Sequence, residues 1–240
     1  MENAFGIIGG MGPMATDLFY KMLIEKTDAS CDQDHLNTII LGHATMPDRT
    51  GAILSGDPAQ MDRVKQLLLE DARTLENLGC KAIGVPCNTA HFFIDQIRDQ
   101  IRIPFIHMVK ETVRTASEST HGGKIGILAT DGTIHTHLYQ DALTAAGADP
   151  FLISEEGQKR VMHEIYDCVK AGKPSDRETW NEIDRELKTA GCDRALLACT
   201  ELSVLKEELC LSDFYLDPLE VMAERALDFM GKPRIDPSGK

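Results

Sequence analysis

The stretch Gly79-Cys80-Lys81-Ala82-Ile83-Gly84-Val85-Pro86-Cys87-Asn88-Thr89 returns in altered form as Gly191-Cys192-Asp193-Arg194-Ala195-Leu196-Leu197-Ala198-Cys199-Thr200-Glu201. Each copy opens on Gly-Cys, runs through small and apolar residues, and closes on a second cysteine followed by polar groups. A glycine of this kind stops a helix. A short, nearly continuous apolar run is what a strand looks like when helices cover both faces of a parallel sheet. Each copy therefore reads as a helix end, a strand, and a cysteine at the strand's carboxyl end. A second pair, Gly6-Ile7-Ile8-Gly9-Gly10-Met11-Gly12 and Gly126-Ile127-Leu128-Ala129-Thr130-Asp131-Gly132, recurs in the same order. Both of its members read as a strand running into a loop of small residues. Two matches in one order indicate two halves of a single design.

The rest of the chain fits that frame. Phe5–Ile8, Thr38–Gly42, Ala82–Val85, Phe105–Met108, Lys124–Ala129, Ala195–Ala198 and Phe214–Leu216 read as strands. Between them, Ala59–Leu78 carries apolar residues at three- and four-residue steps before Gly79, as a helix with one buried face does. Ile134–Ala146 and Glu178–Ala190 follow the same rule and end at Gly147 and Gly191. Alternating strands and helices predict an α/β fold. The expected architecture is two pseudo-symmetric domains, each a mainly parallel sheet flanked by helices, with the active site in the cleft between them. The expected first domain is 1–108 plus 211–230, with the strand at 214–216 and the helix Pro218–Phe229 returning to it. The second is 109–210, and 231–240 reads as a flexible tail.

Composition bounds the function. Of 240 residues, 42% are hydrophobic and 26% charged, enough for a sizeable core. The net charge of -13 disfavours a phosphate backbone as partner, so no nucleic acid is expected. No run reaches the length of a membrane span. The opening MENAFGIIGGMGP lacks the basic and long apolar regions of a secretory signal, so a cytoplasmic location is expected. Seven cysteines with no C-x-x-C pair suggest reduced thiols rather than a disulfide framework or structural zinc. Cys31-Asp32-Gln33-Asp34-His35 has no familiar metal-ligand spacing and reads as a polar loop. The Gly9–Gly12 loop lacks the G-x-G-x-x-G spacing of a dinucleotide site.

Ligands of open α/β sheets bind beyond the carboxyl ends of the strands. Cys87 and Cys199 sit at such ends, beside the loops at Gly9–Pro13 and Thr130–Thr133. If the halves face one another, the two thiols share a cleft. Such a pair suits inversion of an α-carbon, where a thiolate takes a proton from one face and a thiol gives one to the other. The working thiolate needs stabilisation, which helix N-termini after Asn88-Thr89 and Thr200-Glu201 could supply. Hydroxyls and backbone N–H groups of those loops suit a substrate carboxylate. Arg49, after the second strand, suits a second one. Two other readings use the same residues. His91, four positions after Cys87, could pair with it as in a cysteine hydrolase, or brace the loop. The cleft could also bind a dicarboxylic acid without turnover.

The chain resembles the aspartate/glutamate racemase family, its aspartate racemase branch above all. The resemblance rests on Gly6–Pro13 (G-I-I-G-G-M-G-P), Pro47–Thr50 (P-D-R-T), Pro86–His91 (P-C-N-T-A-H), Leu128–Thr133 (L-A-T-D-G-T), Val161–Gly172 (V-M-H-E-I-Y-D-C-V-K-A-G) and Cys199–Glu201 (C-T-E). It implies that Cys87 and Cys199 are the catalytic thiols. It implies that Arg49 and Lys170 meet the substrate's side-chain carboxylate, and that Asn88, Thr89 and Thr200 hold its α-carboxylate, with Thr130 and Thr133 close by. Met11, Ala90 and Glu201, within these motifs, complete the expected substrate-binding set. It also implies catalysis without pyridoxal phosphate or metal, and a homodimer. The expected substrate is an acidic amino acid, aspartate first, with glutamate or a broader range as the alternative. Gly42-His43-Ala44-Thr45 departs from the asparagine-rich stretch frequent before P-D-R-T in that branch, which bears on substrate choice.

Overall fold

The computed structural model describes residues 3–235. In chain order the first half runs β1 (Ala4–Gly9), α1 (Pro13–Lys26), β2 (Thr38–Gly42), α2 (Arg49–Ser55), α3 (Pro58–Asn77), β3 (Cys80–Gly84), α4 (His91–Ile97), β4 (Phe105–Ile106) and α5 (Met108–Thr120). The second runs β5 (Lys124–Ala129), α6 (Asp131–His135), α7 (Leu138–Ala145), β6 (Asp149–Leu152), α8 (Glu155–His163), α9 (Arg177–Thr189), β7 (Arg194–Ala198), α10 (Thr200–Leu209), β8 (Tyr215–Leu216) and α11 (Pro218–Phe229). Two parallel sheets result, in orders β2-β1-β3-β4 and β6-β5-β7-β8. The orders are the same, strand for strand, and the two repeated sequence pairs fall on β1/β5 and β3/β7.

The repeat extends into the packing. Gly6 of β1 lies so close to α3 that a Cβ there would stand 2.9 Å from Leu75 Cδ1. Gly126 of β5 stands in the same relation to α9, at 2.5 Å from Leu187 Cδ2. Cys80 and Cys192 complete the two contacts, their sulfurs 3.2 and 3.6 Å from those points. Gly6 and Gly126, with Cys80 and Cys192, are therefore packing devices, in which small residues let a helix settle on the sheet.

Each sheet is covered on both faces, as its apolar strands require. On one face of the first sheet, Val64, Leu68 and Leu75 of α3 and Phe93 of α4 meet Ile8 and Ile83. On one face of the second, Val161, Trp180 and Leu187 meet Leu128 and Leu197. The remaining faces are covered by α1 and α7 together with two exchanged helices. Helix α5 leaves the first sheet and places Val109, Val113 and Ala116 against Ile125 and Ile127 of the second. Helix α11 leaves the second sheet and places Leu219, Met222 and Leu227 against Phe5 and Ile7 of the first. These three side chains are fully buried, worth roughly 1.5–3 kcal/mol each.

This exchange corrects one expectation. The helix Pro218–Phe229 does pack on the first half, but the strand before it does not: β8 pairs with β7, Ala195 opposite Tyr215. Three smaller differences follow from local chemistry. The strand expected to reach Met108 stops at Ile106, because His107 caps α5 by accepting from the Lys110 N–H. The helix expected over 134–146 is split into α6 and α7 at His137, whose φ is 55°. An additional strand, β6, pairs with β5 at the sheet edge, where Pro150 is tolerated. The loop at Cys31–His35 holds one exposed 3₁₀ turn, Asp32–Asp34. The expected flexible tail is tied down as far as Ile235: Thr27 pairs with Arg234, and Arg234 bridges to Glu224 and Asp228 at 2.8 Å. Residues 236–240 of that tail lie outside the described residues. No helix among the described residues is long and apolar enough to cross a membrane.

Candidate active site

Cys87 lies beyond β3 and is 6% exposed. Its N–H donates to Val85 O at 2.7 Å, and a turn at Asn88–Ala90 leads into α4. His91 secures this turn. Its Nδ1 lies 2.9 Å from Cys87 O, and its Nε2 accepts from the Met108 N–H at 3.1 Å. The first contact requires an Nδ1–H and the second a bare Nε2, so the ring is the neutral tautomer. Burial, with His107 adjacent, pushes its pKa down to about 3. Both ring nitrogens are thus committed to backbone. His91 acts as a brace between the cysteine loop and the start of α5, rather than as a base for the thiol.

Cys199, at the end of β7, is the N-cap residue of α10 and also 6% exposed. Its Sγ donates to Glu201 Oε2 at 2.9 Å, and Glu201 Oε1 lies 2.9 Å from Lys170 Nζ. Burial and the Glu201 charge raise the Cys199 thiol well above its ordinary value, against the opposing pull of Lys170. Burial works against the Lys170 ammonium, but Glu201 and Cys199 outweigh it and raise its pKa. Four residues after this cysteine, Ser203 Oγ donates to Asp217 Oδ1 at 2.7 Å, and Asp217 caps α11. Ser203 therefore does for α11 what His91 does for α5.

A tight cleft, with about 10 Å³ of free space, brings both cysteines together. Met11, Arg49, Asn88, Thr89, Thr130, Lys170, Thr200 and Glu201 line it with them. Two of the expected residues stand back. Thr133 is fully buried behind the wall, its hydroxyl 2.8 Å from that of Thr89. Ala90 is fully buried in the core of the first half. Thr130 lies 3.2 Å from both Thr89 and Thr133, and Thr50 donates to it at 3.1 Å. Asn88 is oriented from outside by Tyr139, whose hydroxyl donates to Asn88 Oδ1 at 2.5 Å.

Arg49 is 8% exposed. Its Nη1 and Nη2 donate to Pro47 O and Met11 O at 3.1 and 3.2 Å, while Nε has no protein partner. Burial opposes its charge and the neighbouring Cys87 sulfur favours it, leaving the guanidinium pKa raised. A buried donor with no partner in a cleft wall fits an acceptor on a ligand.

Three lining residues were not read from the sequence: Asp48, Thr50 and Tyr166. The first two flank Arg49 within P-D-R-T, and Asp48 also caps α2 through the Gly51 N–H. Tyr166 precedes Lys170 by four residues, and Lys170 Nζ stands 5.3 Å from its ring centroid. A π-helical segment, Glu164–Val169, continues α8 at this point. Such insertions recur at functional sites because they re-aim side chains within a helix. Met11, Asp48, Arg49, Tyr166, Lys170 and Glu201 also line an outer chamber of about 410 Å³, shared with Met14, Met46, Val169 and Val204. Among the described residues no group of three or more His, Cys, Asp or Glu side chains is placed to hold a metal ion.

A family model described as Asp/Glu/Hydantoin racemase matches residues 8–226. The chain is 26% identical over 213 residues to the broad specificity amino-acid racemase RacX of Bacillus subtilis, covering 85% of this chain and 88% of that protein. It is 30% identical over 152 residues to the glutamate racemase of Corynebacterium glutamicum, covering 62% of this chain and 54% of that protein. A solved structure, the Picrophilus torridus aspartate racemase, matches with a TM-score of 0.78 and 26% identity over 97% of this chain and 96% of that one.

Proposed function

The chain belongs to the Asp/Glu/Hydantoin racemase family, and from that premise we propose that it racemises an acidic amino acid, aspartate first, without pyridoxal phosphate or metal. One observation carries the reading: two buried cysteines at equivalent strand ends line a single cleft. A thiolate on one face of the α-carbon removes its proton, and the thiol on the other face returns one. Asn88, Thr89 and Thr200 hold the α-carboxylate. Arg49, with its unpartnered Nε, and Lys170 receive the side-chain carboxylate. The same residues support glutamate as the nearest alternative. The outer chamber beyond Lys170 supports longer side chains as a second reading, in line with the broad specificity of the Bacillus subtilis relative. The enzyme acts as a homodimer in the cytoplasm.

The test is incubation of the protein with L-aspartate in deuterium oxide. Appearance of D-aspartate carrying α-deuterium is the expected result. If neither inversion nor exchange occurs, aspartate is not the substrate. A panel including glutamate and neutral amino acids then separates a different substrate from a binding protein that catalyses nothing. Size-exclusion chromatography with light scattering tests the dimer.

A further inference from the structure

The second repeated pair of the sequence ends in Gly12 and Gly132, and at both glycines one half of the molecule touches the other. A Cβ on Gly132, on α6 of the second half, would stand 2.9 Å from Thr50 Cα, 3.0 Å from Thr50 Oγ1 and 3.1 Å from Thr50 Cβ. A Cβ on Gly12 would stand 3.2 Å from Glu201 Oε1 on α10 of the second half. The two contacts differ in what can yield. Glu201 Oε1 is the far end of a side chain, whereas Thr50 Cα is backbone in the first turn of α2. Gly132 is buried in a helix and has no left-handed φ, so its backbone conformation does not call for glycine. The close approach does.

We infer that Gly132 is a positioning residue for Arg49 and thereby fixes the side-chain length of the acid that fits the cleft. The inference rests on the reading of Arg49 as the partner of the side-chain carboxylate. Arg49 immediately precedes Thr50, and its Nη1 and Nη2 are fastened to Pro47 O and Met11 O of its own half. Its head therefore moves with the turn that carries Thr50. That turn rests on α6, and Thr50 Oγ1 donates to Thr130 Oγ1 at 3.1 Å across the same seam. Beside the seam the cleft has about 10 Å³ of free space, about enough for one water molecule. An amino acid thus enters only as the walls part. The point at which they stop on closing sets the reach of the guanidinium toward the second half, which carries Cys199 and Thr200. A methyl on Gly132 needs Thr50 Cα to retreat from 2.9 Å to the 3.4 Å or more of ordinary contact. Arg49 retreats with it, beyond the reach of an aspartate side chain, and a substrate one methylene longer spans the gap.

The test follows inversion of L-aspartate and L-glutamate by the unmodified protein and by Gly132→Ala, with KM and kcat taken separately. Gly132→Ala should raise the KM for aspartate roughly 10-fold, because a misplacement of about 1 Å costs on the order of 100-fold. The KM for glutamate should change by less than about 3-fold, so the preference moves toward the longer acid. Where only one acid is inverted, the inhibition constant of the other replaces its KM. In an Arg49→Leu background the same substitution should leave the ratio of the two constants where Arg49→Leu alone puts it. A merely structural role would weaken both acids alike in either background, and that result, or an unmoved ratio, overturns the inference. Should Gly132→Ala not fold, the double variant Gly132→Ala/Thr50→Gly, which clears Thr50 Oγ1 and Cβ from the contact, takes its place. Failure of both to fold makes Gly132 a residue of the fold alone and sinks the assignment. If the unmodified protein inverts either acid, Arg49→Leu weakens it and Gly132→Ala leaves the ratio in place, only the role of Gly132 fails. If Arg49→Leu leaves both KM values unchanged, or the unmodified protein inverts neither acid, the underlying reading fails and the inference with it.

Discussion

Cys87 and Cys199 end equivalent strands of two sheets with one strand order, yet they keep different company. Beside Cys87 stands a buried guanidinium with an unpartnered Nε, and the neighbouring histidine is neutral and occupied with backbone. Beside Cys199 stands a carboxylate already paired with a lysine. The repeat delivers two thiols to one place. The departures from the repeat make those thiols unlike, and a reaction that needs an acid and a base at one moment uses that difference.

The broadest way to break this comparison is to remove each sulfur in turn. Cys87→Ser and Cys199→Ser should each reduce inversion by about 10³-fold or more, since general acid–base groups are worth on the order of 10²–10⁴. Survival of inversion in either variant, measured by polarimetry, would dissolve the pairing. The braces come next. His91→Ala leaves Cys87 O and the Met108 N–H without partners and opens a cavity at a fully buried site. It should cost about 2–4 kcal/mol in urea unfolding. Ser203→Ala, its counterpart on α10, removes one hydrogen bond to Asp217 and should cost about 1–2 kcal/mol. Equal costs would mean that the two braces are more alike than their chemistry.

A third measurement addresses the cations. Arg49→Leu should raise KM for aspartate roughly 10- to 100-fold, the worth of a charge-assisted pair, with a smaller effect on a monocarboxylic amino acid. A fourth measurement addresses the pH dependence of stability. Burial holds His91 at about 3 when folded, against about 6.5 for a free imidazole. Between those values the unfolded chain binds the additional proton. The stability from His91 is therefore complete above pH 6.5 and declines as pH falls toward 3, by up to about 1.4 kcal/mol per unit. His91→Gln should flatten the acid limb of the unfolding midpoint against pH.

The architecture was legible because the chain states it twice. The Gly-Cys pairs at 79–80 and 191–192 marked helix ends, so two sheets followed from one alignment of the sequence with itself, and a shared cleft followed if the halves faced one another. What escaped had no such double statement. β8 is two residues long, too short to carry a periodicity, and its partner is chosen by Tyr215 meeting Ala195 across the sheet. His137 breaks a helix through a backbone angle that helical apolar spacing does not encode. Tyr166 reaches the cleft by way of a π-helical segment, which alters the facing that a 3.6-residue period would assign. Thr133 illustrates the reverse, since its motif placed it near the cleft while its hydroxyl is spent on Thr89 behind the wall.

The exchanged helices bear on how the protein is made. Helix α11 is synthesised long after Phe5 and Ile7, which it covers together with α1. Elongation from β4 to the end of α11 takes on the order of ten seconds. Throughout that interval one apolar face of the first sheet is covered by α1 alone. A nascent chain of this protein thus exposes part of that face until Pro218–Phe229 has emerged, and a chain cut short before Pro218 keeps it exposed.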